Sequence, residues 1–211
     1  MGGGGVMRKV LISLLLTLTA SCCHVFQLDS ADTVDVGYSG TLFVKTAGGN
    51  CTAFAIGLDT VITAAHCAPL PNVYMLYKDQ VVLGWVSYKD EESDFAIIKT
   101  TQYIRDVIPL LPTTTHNRPG AELTSIGYPF YSHGIISFEK GYVIEDFGEL
   151  IVATGLCLRG ESGGPVLNTY GQVIGFCSMV SPRMDVYGDG LSHSHKDLAM
   201  IIPIKKVLEA L

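Results

Sequence analysis

Short runs that alternate apolar and polar residues, with turn-forming residues between them, cover most of the chain after residue 39. In the first half these runs are TLFVKTA, TAFAIG, TVITAA, VYMLYK, VVLGWVSYK and FAIIKT. Turn residues such as Gly48-Gly49-Asn50 and Asp79-Gln80 separate them. A period of two residues is typical of half-buried β-strands, so each run is predicted to form a strand.

A second set of runs follows a polar, proline-bounded connector over residues 112–119. These runs are ELTSIGYP, GIISFEKGYVIE, ELIVATGLCL, PVLNT and QVIGFCSMV. Helical spacing is found only at the end, in KKVLEAL after Pro203. Many short strands without helices between them predict an all-β barrel or sandwich.

The composition supports a compact β-rich protein. Of the 211 residues, 48% are hydrophobic, only 16% are charged and 23 are glycine, which argues against disorder. This length suits one domain or two small fused barrels. The net charge of −6 and the lack of a long Lys/Arg run give no reason to expect nucleic acid or an anionic membrane as partner. We expect no cofactor.

The N-terminus has the pattern of a secretory signal. Basic Met7-Arg8-Lys9 precedes VLISLLLTLTA, an uncharged run that is too short to span a bilayer comfortably. We expect a signal peptide over residues 1–23 and a linker over 24–35, and hence a secreted, periplasmic or cell-envelope protein. The alternative is a core helix buried on every face.

The end of this segment resembles a bacterial lipoprotein signal. Ser21-Cys22 places a small residue before a cysteine, and lipidation of Cys22 would be the chain's only link to a membrane. Ordinary cleavage near the same place is the alternative. The oligomeric state is not indicated by the sequence.

Four cysteines follow in the predicted mature chain: Cys51, Cys67, Cys157 and Cys177. An even number in an exported domain predicts two disulfides, for which three pairings are possible. A metal site is the alternative, but the chain has no C-x-x-C spacing, and its one close histidine pair, His193-Ser194-His195, lies in a polar stretch. We expect no metal.

Three short motifs carry candidate chemistry. Ser162 lies in GESGGP, where glycines permit a strained turn that could expose a nucleophile, or simply a tight turn. His66 lies in TAAHC, directly after the run VITAA, as a candidate base, and a bridge from Cys67 to Cys51 would be worth roughly 3 kcal/mol and would clamp the backbone beside it. Asp94 heads the apolar run FAIIK as a candidate orienting carboxylate. A core histidine and a strand-capping aspartate are the plainer interpretations.

TAAHC, DFAIIK and GESGGP, in that order, resemble the signatures of the chymotrypsin-like (trypsin-fold) serine proteases. The resemblance covers residues 36–211. It implies an all-β fold of two six-stranded antiparallel β-barrels with a short C-terminal helix. The first barrel is expected over 36–112 and the second over 113–211.

Within this group the chain more closely resembles the HtrA-type protease domain. SIGYPF followed by GIISFEKGYV, and GQVIGFCS followed by AMIIPIKKVL, are similar to stretches of that group. No PDZ domain is expected, because the sequence ends at Leu211, just after the expected last helix. The cysteine-framed TAAHC is closer to the secreted trypsin branch.

The resemblance implies a role for each motif residue. Ser162 would attack the scissile carbonyl and form an acyl-enzyme, His66 would carry the proton, and Asp94 would orient His66. The N–H groups of Gly160 and Ser162 would form the oxyanion hole. Glu161 departs from the family, since the trypsin branch has aspartate there to pair with a new N-terminus. No IVGG-like segment precedes Cys51, so we expect another partner for Glu161.

The resemblance also indicates the substrate pocket. Leu156 stands where trypsin-like enzymes that cut after basic residues have aspartate. A bridge between Cys157 and Cys177 would narrow the pocket. The other wall residues are expected to be Ser178, Val180 and Ile201. We therefore predict cleavage of proteins or peptides after small or medium aliphatic residues.

Other functions remain open. A catalytically silent, peptide-binding protein on the same scaffold is the main alternative. A glutamyl endopeptidase usually has a histidine where this chain has Cys177 or Ser178, and a structural exported β-protein would make the three motifs a coincidence. The polar stretch 181–197 is either a lid over the pocket or a solvated insertion.

Overall fold

The structure, a computed structural model, describes residues 39–108, 110, 117–181 and 198–211. The side chains of residues 180 and 181 are not among the described atoms. The predicted signal peptide, linker and lipidation site at Cys22 lie outside the described residues. So does residue 112, at which the first barrel was predicted to end, and so does nearly all of the stretch 181–197.

The first half of the described chain forms a closed six-stranded barrel. Its strands are β1 (Thr41–Thr46), β2 (Gly49–Gly57), β3 (Thr60–Thr63), β4 (Asn72–Tyr77), β5 (Gln80–Asp90) and β6 (Phe95–Thr100). Around the barrel they follow the order β1-β2-β3-β6-β5-β4, and every neighbouring pair is antiparallel.

The second half forms another closed barrel. Its strands are β7 (Glu122–Gly127), β8 (Ser137–Asp146), β9 (Ile151–Thr154), β10 (Pro165–Asn168), β11 (Val173–Ser181) and β12 (Leu198–Pro203), in the order β10-β11-β12-β9-β8-β7. Helix α1 (Ile204–Ala210) begins directly after Pro203. The prediction of two six-stranded antiparallel barrels with a short C-terminal helix is confirmed.

Burial along the strands explains where the barrels meet. In β4 burial alternates, with Val73 and Met75 turned into the first barrel. In β3 it does not alternate, and all four residues are buried. Val61 packs inside the first barrel whereas Ile62 packs in a second apolar cluster between the barrels. Strand β6 behaves in the same way, so β3 and β6 form the wall that faces the second barrel.

The cluster between the barrels joins them into one unit. Its buried members are Phe54, Ile62, Phe95, Ile97, Ile108, Ile126, Leu167, Val173, Phe176, Ile202, Ile204 and Val207. They come from both barrels and from α1, which packs against β11 and β12. The strands and turns around this cluster bring the three predicted motifs into one cleft.

Two disulfides crosslink the barrels internally. Cys51 pairs with Cys67 in the first barrel, and Cys157 pairs with Cys177 in the second. The prediction of disulfide bonds is confirmed, and such bonds are typical of extracellular or periplasmic proteins. Among the described residues, no helix has the length and apolar character needed to cross a membrane.

Candidate active site

His66 lies on a one-turn 3-10 helix, Ala65–Cys67, that follows β3. The small, buried residues Ala64 and Ala65 let this turn sit close to the barrel wall. The next residue, Cys67, is bonded to Cys51 in β2, so a covalent link fixes the backbone beside the histidine. The imidazole itself is half exposed and reaches the cleft.

Asp94 lies directly before β6 with a left-handed φ of 52°, a conformation that aspartate tolerates better than most residues. Both carboxylate oxygens lie 3.0 Å from Nδ1 of His66, and the backbone N–H of His66 donates to Oδ1 at 3.1 Å. Because a carboxylate only accepts hydrogen bonds, Nδ1 carries the proton. In the neutral ring Nε2 is then the basic nitrogen.

Asp94 is held in its ionised form. Burial opposes ionisation, but hydrogen bonds from His66 and from the hydroxyl of Ser178 outweigh it and hold the pKa of Asp94 below its usual value. The carboxylate therefore keeps its charge beside His66 at neutral pH.

Ser162 lies on a turn that requires glycine on either side. Gly160 and Gly163 have φ values of 101° and 86°. A β-carbon on Gly163 would collide with the carbonyl oxygen of Thr52 in β2. The N–H of Thr52 in turn donates to the carbonyl of Ser162 at 2.8 Å. These contacts fix the turn of the second barrel against β2 of the first.

The hydroxyl of Ser162 donates to the carbonyl oxygen of Ser178 at 3.0 Å. Within the described part of the chain, no hydrogen bond joins Ser162 to His66. Ser178 thus contacts two of the candidate residues, since its carbonyl holds Ser162 and its hydroxyl binds Asp94. The sequence had placed Ser178 only in the substrate pocket.

The peptide group between Arg159 and Gly160 has a defined orientation. The N–H of Phe130 donates to the carbonyl of Arg159 at 2.7 Å. In a trans peptide the N–H points opposite to the carbonyl, so the N–H of Gly160 points away from Phe130. The N–H groups of Gly160 and Ser162 have no acceptor among the described residues.

Glu161 is fully buried beneath this turn. Its carboxylate accepts hydrogen bonds from the Ser137 hydroxyl at 2.7 Å, the Leu158 N–H at 2.9 Å and the Ser125 hydroxyl at 3.3 Å. Burial raises its pKa to about 7, against the lowering effect of these bonds. These three donors are the partners that the sequence could not identify.

A cleft of about 1300 Å³ contains His66, Asp94 and Ser162. Of the predicted pocket residues, Leu156, Cys157 and Ser178 line it. Their apolar neighbours there are Leu150, Leu158, Met179, Met200 and Ile202.

Ile201 does not line this cleft, which corrects its predicted role. It is fully buried in the core of the second barrel, because neighbours along β12 face opposite sides and Met200 and Ile202 take the cleft side. The side chain of Val180 is not among the described atoms.

Charges of both signs surround the cleft. Glu91, Glu92 and Glu139 lie on its rim together with Lys140 and Arg159. Two of them are already paired, since Lys89 binds Glu91 at 2.9 Å and Glu122 binds Lys140 at 2.8 Å. The described residues of the rim therefore carry charges of both signs.

Among the residues that the structure describes, one group of metal-ligating residue types occurs near the site. Ligand atoms of Cys51, His66 and Cys67 lie within 4.8 Å of one another. The two sulfurs are joined in a disulfide, so neither is available as the thiolate that a metal requires. These residues do not fit a metal ion.

Comparison with known proteins agrees with this geometry. The family described as trypsin-like peptidase domain matches residues 51–176, more than half of the chain. No curated protein sequence matches the chain significantly.

Solved structures give the same result for the fold. An inactive form of Rv3671c from M. tuberculosis H37Rv has 20% identity and a TM-score of 0.67, over 84% of this chain and 87% of that chain. The active form of the M. tuberculosis Rv3671c protease has 21% identity and a TM-score of 0.67, and the match covers 84% of this chain and 81% of that chain. The serine endoprotease from Yersinia pestis has 15% identity and a TM-score of 0.70, and the match covers 86% of this chain and 64% of that chain. By its family match and its two-barrel fold, the chain belongs to the trypsin-like peptidases, which are hydrolases that act on proteins.

Proposed function

We propose that the protein is a serine endopeptidase that cleaves peptide bonds through an acyl-enzyme on Ser162. The observation that carries this proposal is the chain of contacts from Ser162 through Ser178 to Asp94 and on to His66, all in one cleft. The three groups come from distant parts of the sequence, and a purely structural turn would not need an ionised carboxylate beside a half-exposed histidine.

In the first step Ser162 Oγ exchanges the Ser178 carbonyl for Nε2 of His66 as hydrogen-bond acceptor. Oγ then bonds to the scissile carbonyl carbon while its proton passes to Nε2. The negative charge that develops on the carbonyl oxygen is stabilised by the N–H groups of Gly160 and Ser162. Loss of one such donor typically raises a barrier by about 2.7–4 kcal/mol.

In the second step the C–N bond breaks and His66 returns its proton to the leaving amine. Water then attacks the acyl group on Ser162, with His66 again accepting and returning a proton. Asp94 stabilises the imidazolium in both halves. Its lowered pKa suits this role, because it stays ionised over the range in which histidine titrates.

The cleft supports a preference for small or medium aliphatic residues before the cut. Leu156 and Cys157 line the cleft, Cys157 is bonded to the buried Cys177, and no carboxylate stands at position 156 to pair with a basic side chain. A library of peptide substrates tests this preference. Dominant cleavage after Arg, Lys or Glu would contradict it.

A catalytically silent, peptide-binding protein is the second candidate. The bond from Ser162 to the Ser178 carbonyl favours it, since the nucleophile's proton is directed away from His66. The two proposals predict opposite results for any reagent that requires an activated serine.

Intact-mass analysis after treatment with a fluorophosphonate separates the two. We expect one adduct on the wild type and none on Ser162→Ala, with a greatly slowed reaction for His66→Ala. Ser87→Ala is a matched control, because its hydroxyl also binds a backbone carbonyl, that of Ile97, on a strand away from the cleft. An unlabelled wild type with both disulfides formed would favour the silent protein.

We further propose that the chain is exported by its N-terminal segment 1–23, either freely or with a lipid on Cys22. The two disulfides support export. The N-terminal mass of the mature protein distinguishes a lipidated Cys22 from ordinary cleavage.

A further inference from the structure

A groove of about 650 Å³ lies outside the active-site cleft, and among the described residues the two have no lining residue in common. Its floor is the outer face of β1, which presents Phe43 and Lys45. One wall is the tip of the β4–β5 hairpin, and the other is the loop over residues 128–136. Ser39, where the described chain begins, also lines the groove. The groove therefore lies beside the point at which residues 24–38 of the predicted mature chain join the first barrel.

Large apolar side chains on both walls are exposed in this groove. Leu76 is 40% exposed, Phe130 55% and Ile135 71%. Concave surfaces with exposed apolar side chains are typical of binding sites. The segment over residues 24–38 has apolar side chains that suit such a surface, namely Val25, Phe26, Leu28, Val34, Val36 and Tyr38.

The charges of the groove are divided between its two ends. The antiparallel register of β1 and β4 places the hairpin tip at the Ser39 end and Lys45 at the far end. At the tip, Lys78 is already paired with Asp106, which leaves the negative charge of Asp79. Lys45 has no carboxylate partner among the described residues. The far end of the groove therefore offers a cation for an acidic ligand.

A second cation lies beside the far end. Gly49 pairs with Thr46 there, and a β-carbon on Gly49 would lie 3.2 Å from the Phe130 ring. The Arg159 guanidinium is 5.6 Å from the centre of the same ring. Within the described chain Arg159 also lacks a carboxylate partner. Two cations, Lys45 and Arg159, thus favour a negatively charged ligand at this end.

We propose that residues 24–38 of the chain itself dock in this groove, with their carboxylates toward Lys45. The segment has three acidic residues and no lysine or arginine. The acidic residues are Asp29, Asp32 and Asp35. Each is at least four residues away from Ser39 along the chain, so the three carboxylates can pass the anion at the hairpin tip and reach the far end.

The length of the segment is suitable. Lys45 lies six residues after Ser39, which is about 20 Å along a strand. The fifteen residues 24–38 span about 22 Å as a helix and up to about 50 Å when extended. Because the segment is attached beside the groove, its effective concentration there is on the order of millimolar, so weak contacts are sufficient to hold it. A separate protein would need a larger interface, of about 800 Å² from each partner.

The docked segment contacts a part of the fold that supports the active site. It packs against Phe130, whose N–H holds the carbonyl of Arg159 beside the turn that carries Ser162. The segment thus adds a layer to the support of this turn. No catalytic step is involved, so the proposal does not depend on the proposed function.

Carbodiimide cross-linking tests the contact, because this reagent joins a carboxylate directly to an amine that touches it. The exported protein with Ser162→Ala is used, to prevent self-cleavage. We expect mass spectrometry to find the Lys45 amine joined to an aspartate of residues 24–38. The ion pair of Lys78 and Asp106 is the internal control for the reagent. In a mixture of unlabelled and isotope-labelled protein, a contact within one chain gives cross-links of a single isotope only.

Lys45→Glu tests the charge, because it places a carboxylate opposite the acidic segment. We expect hydrogen exchange of residues 24–38 to become at least about 10-fold faster. Arg118→Glu makes the same change of net charge at an exposed position outside the groove and should leave the exchange unchanged. Replacing all three aspartates of the segment by asparagine leaves both barrels intact and should abolish the cross-link and speed the exchange.

Three results would overturn the proposal. The first is a protein in which Lys78 and Asp106 are cross-linked but Lys45 is not joined to residues 24–38, with exchange of the segment unaffected by Lys45→Glu. The second is a cross-link that forms only between differently labelled chains, because the groove would then hold the segment of a second copy. The third is a loop 128–136 whose exchange slows only when oligo-aspartate is added, because the groove would then take a separate acidic peptide.

Discussion

At the scale of single residues, Ser178 connects two of the proposed catalytic groups. Its hydroxyl is one of the donors that keep Asp94 ionised, and its carbonyl fixes Ser162. A hydrogen bond to a charged group contributes about 1.5–3 kcal/mol. Removal of the hydroxyl should therefore destabilise the Asp94 carboxylate and weaken its positioning of His66.

Ser178→Ala should therefore lower kcat about 10- to 100-fold while KM changes little. With one donor lost, the Asp94 carboxylate interacts more strongly with the imidazolium of His66, so the acid limb of the kcat/KM profile, which reports protonation of the base, should move to higher pH. Steady-state kinetics on a peptide substrate over a pH series measure both effects. An unchanged acid limb, with Ser87→Ala as the control, would mean that Ser178 does not act through Asp94.

Glu161 gives a second prediction, on stability. Its folded-state pKa of about 7 lies above the ordinary value of 4.5, so the folded protein binds more protons than the unfolded chain between these values. Its contribution to stability is fully present below pH 4.5 and is lost as pH rises through 7. The other titratable groups that act on this carboxyl or respond to it are Glu139 and Tyr131.

Glu161→Gln should remove this pH dependence, because the amide stays neutral and can still pair with Ser137 and the Leu158 N–H. Between about pH 4.5 and 8 the wild type should lose on the order of 3 kcal/mol relative to the variant. Urea unfolding at several pH values measures the difference. Parallel curves for the two proteins would show that Glu161 ionises normally.

The sequence identified His66, Asp94 and Ser162 because each lies in a short local motif. It could not identify Ser137 or Ser125 as partners of Glu161, since they lie 24 and 36 residues away along the chain and only the closing of the second barrel brings them together. Motifs report local chemistry, whereas buried hydrogen-bond partners depend on strand register.

At the scale of elements, the 3-10 turn Phe130–Ser132 positions the turn that carries Ser162. The Phe130 N–H holds the Arg159 carbonyl, and the Arg159 guanidinium lies 5.6 Å from the centre of the Phe130 ring. The hydrogen bond sets the direction of the Gly160 N–H, and the cation–π contact packs the Arg159 side chain against the Phe130 ring.

Phe130→Pro should therefore lower kcat on the order of 100-fold, because it removes the N–H that orients the Arg159–Gly160 peptide. Proline suits the first position of this turn, and Pro129 before it has the extended ψ of 147° that a following proline requires. Phe130→Ala keeps the N–H and should cost much less. Comparable losses of kcat in the two variants would assign the effect to the ring instead.

The alternation of apolar and polar residues predicted which segments form strands, but it predicted the ends of the strands less accurately. The predicted turn Gly48-Gly49-Asn50 lies partly inside β2, which begins at Gly49. Gly49 has a φ of 153°, which residues other than glycine rarely adopt, and it still pairs with Thr46 inside the strand. No local sequence pattern could indicate the role of the 3-10 turn at Phe130, because its contacts are with another loop, at Arg159.

At the scale of the whole molecule, the cluster between the barrels should make them unfold together. Phe176→Ala removes a fully buried ring from this cluster and should cost about 3–5 kcal/mol. We expect calorimetry to show one transition for the wild type and one, at lower temperature, for the variant. Phe147→Ala, at an exposed position, should leave the transition unchanged. Two transitions in the wild type would show independent barrels.

The division of the site between the barrels has a consequence for the cell that makes the protein. A chain that is threaded through a membrane from its N-terminus presents His66 and Asp94 long before Ser162. Ser178, β12 and α1 come later still, and no complete site can exist until they pack. If the chain is exported as proposed, it would carry no complete site while it crosses the membrane, and the proposed proteolysis would begin only on the far side.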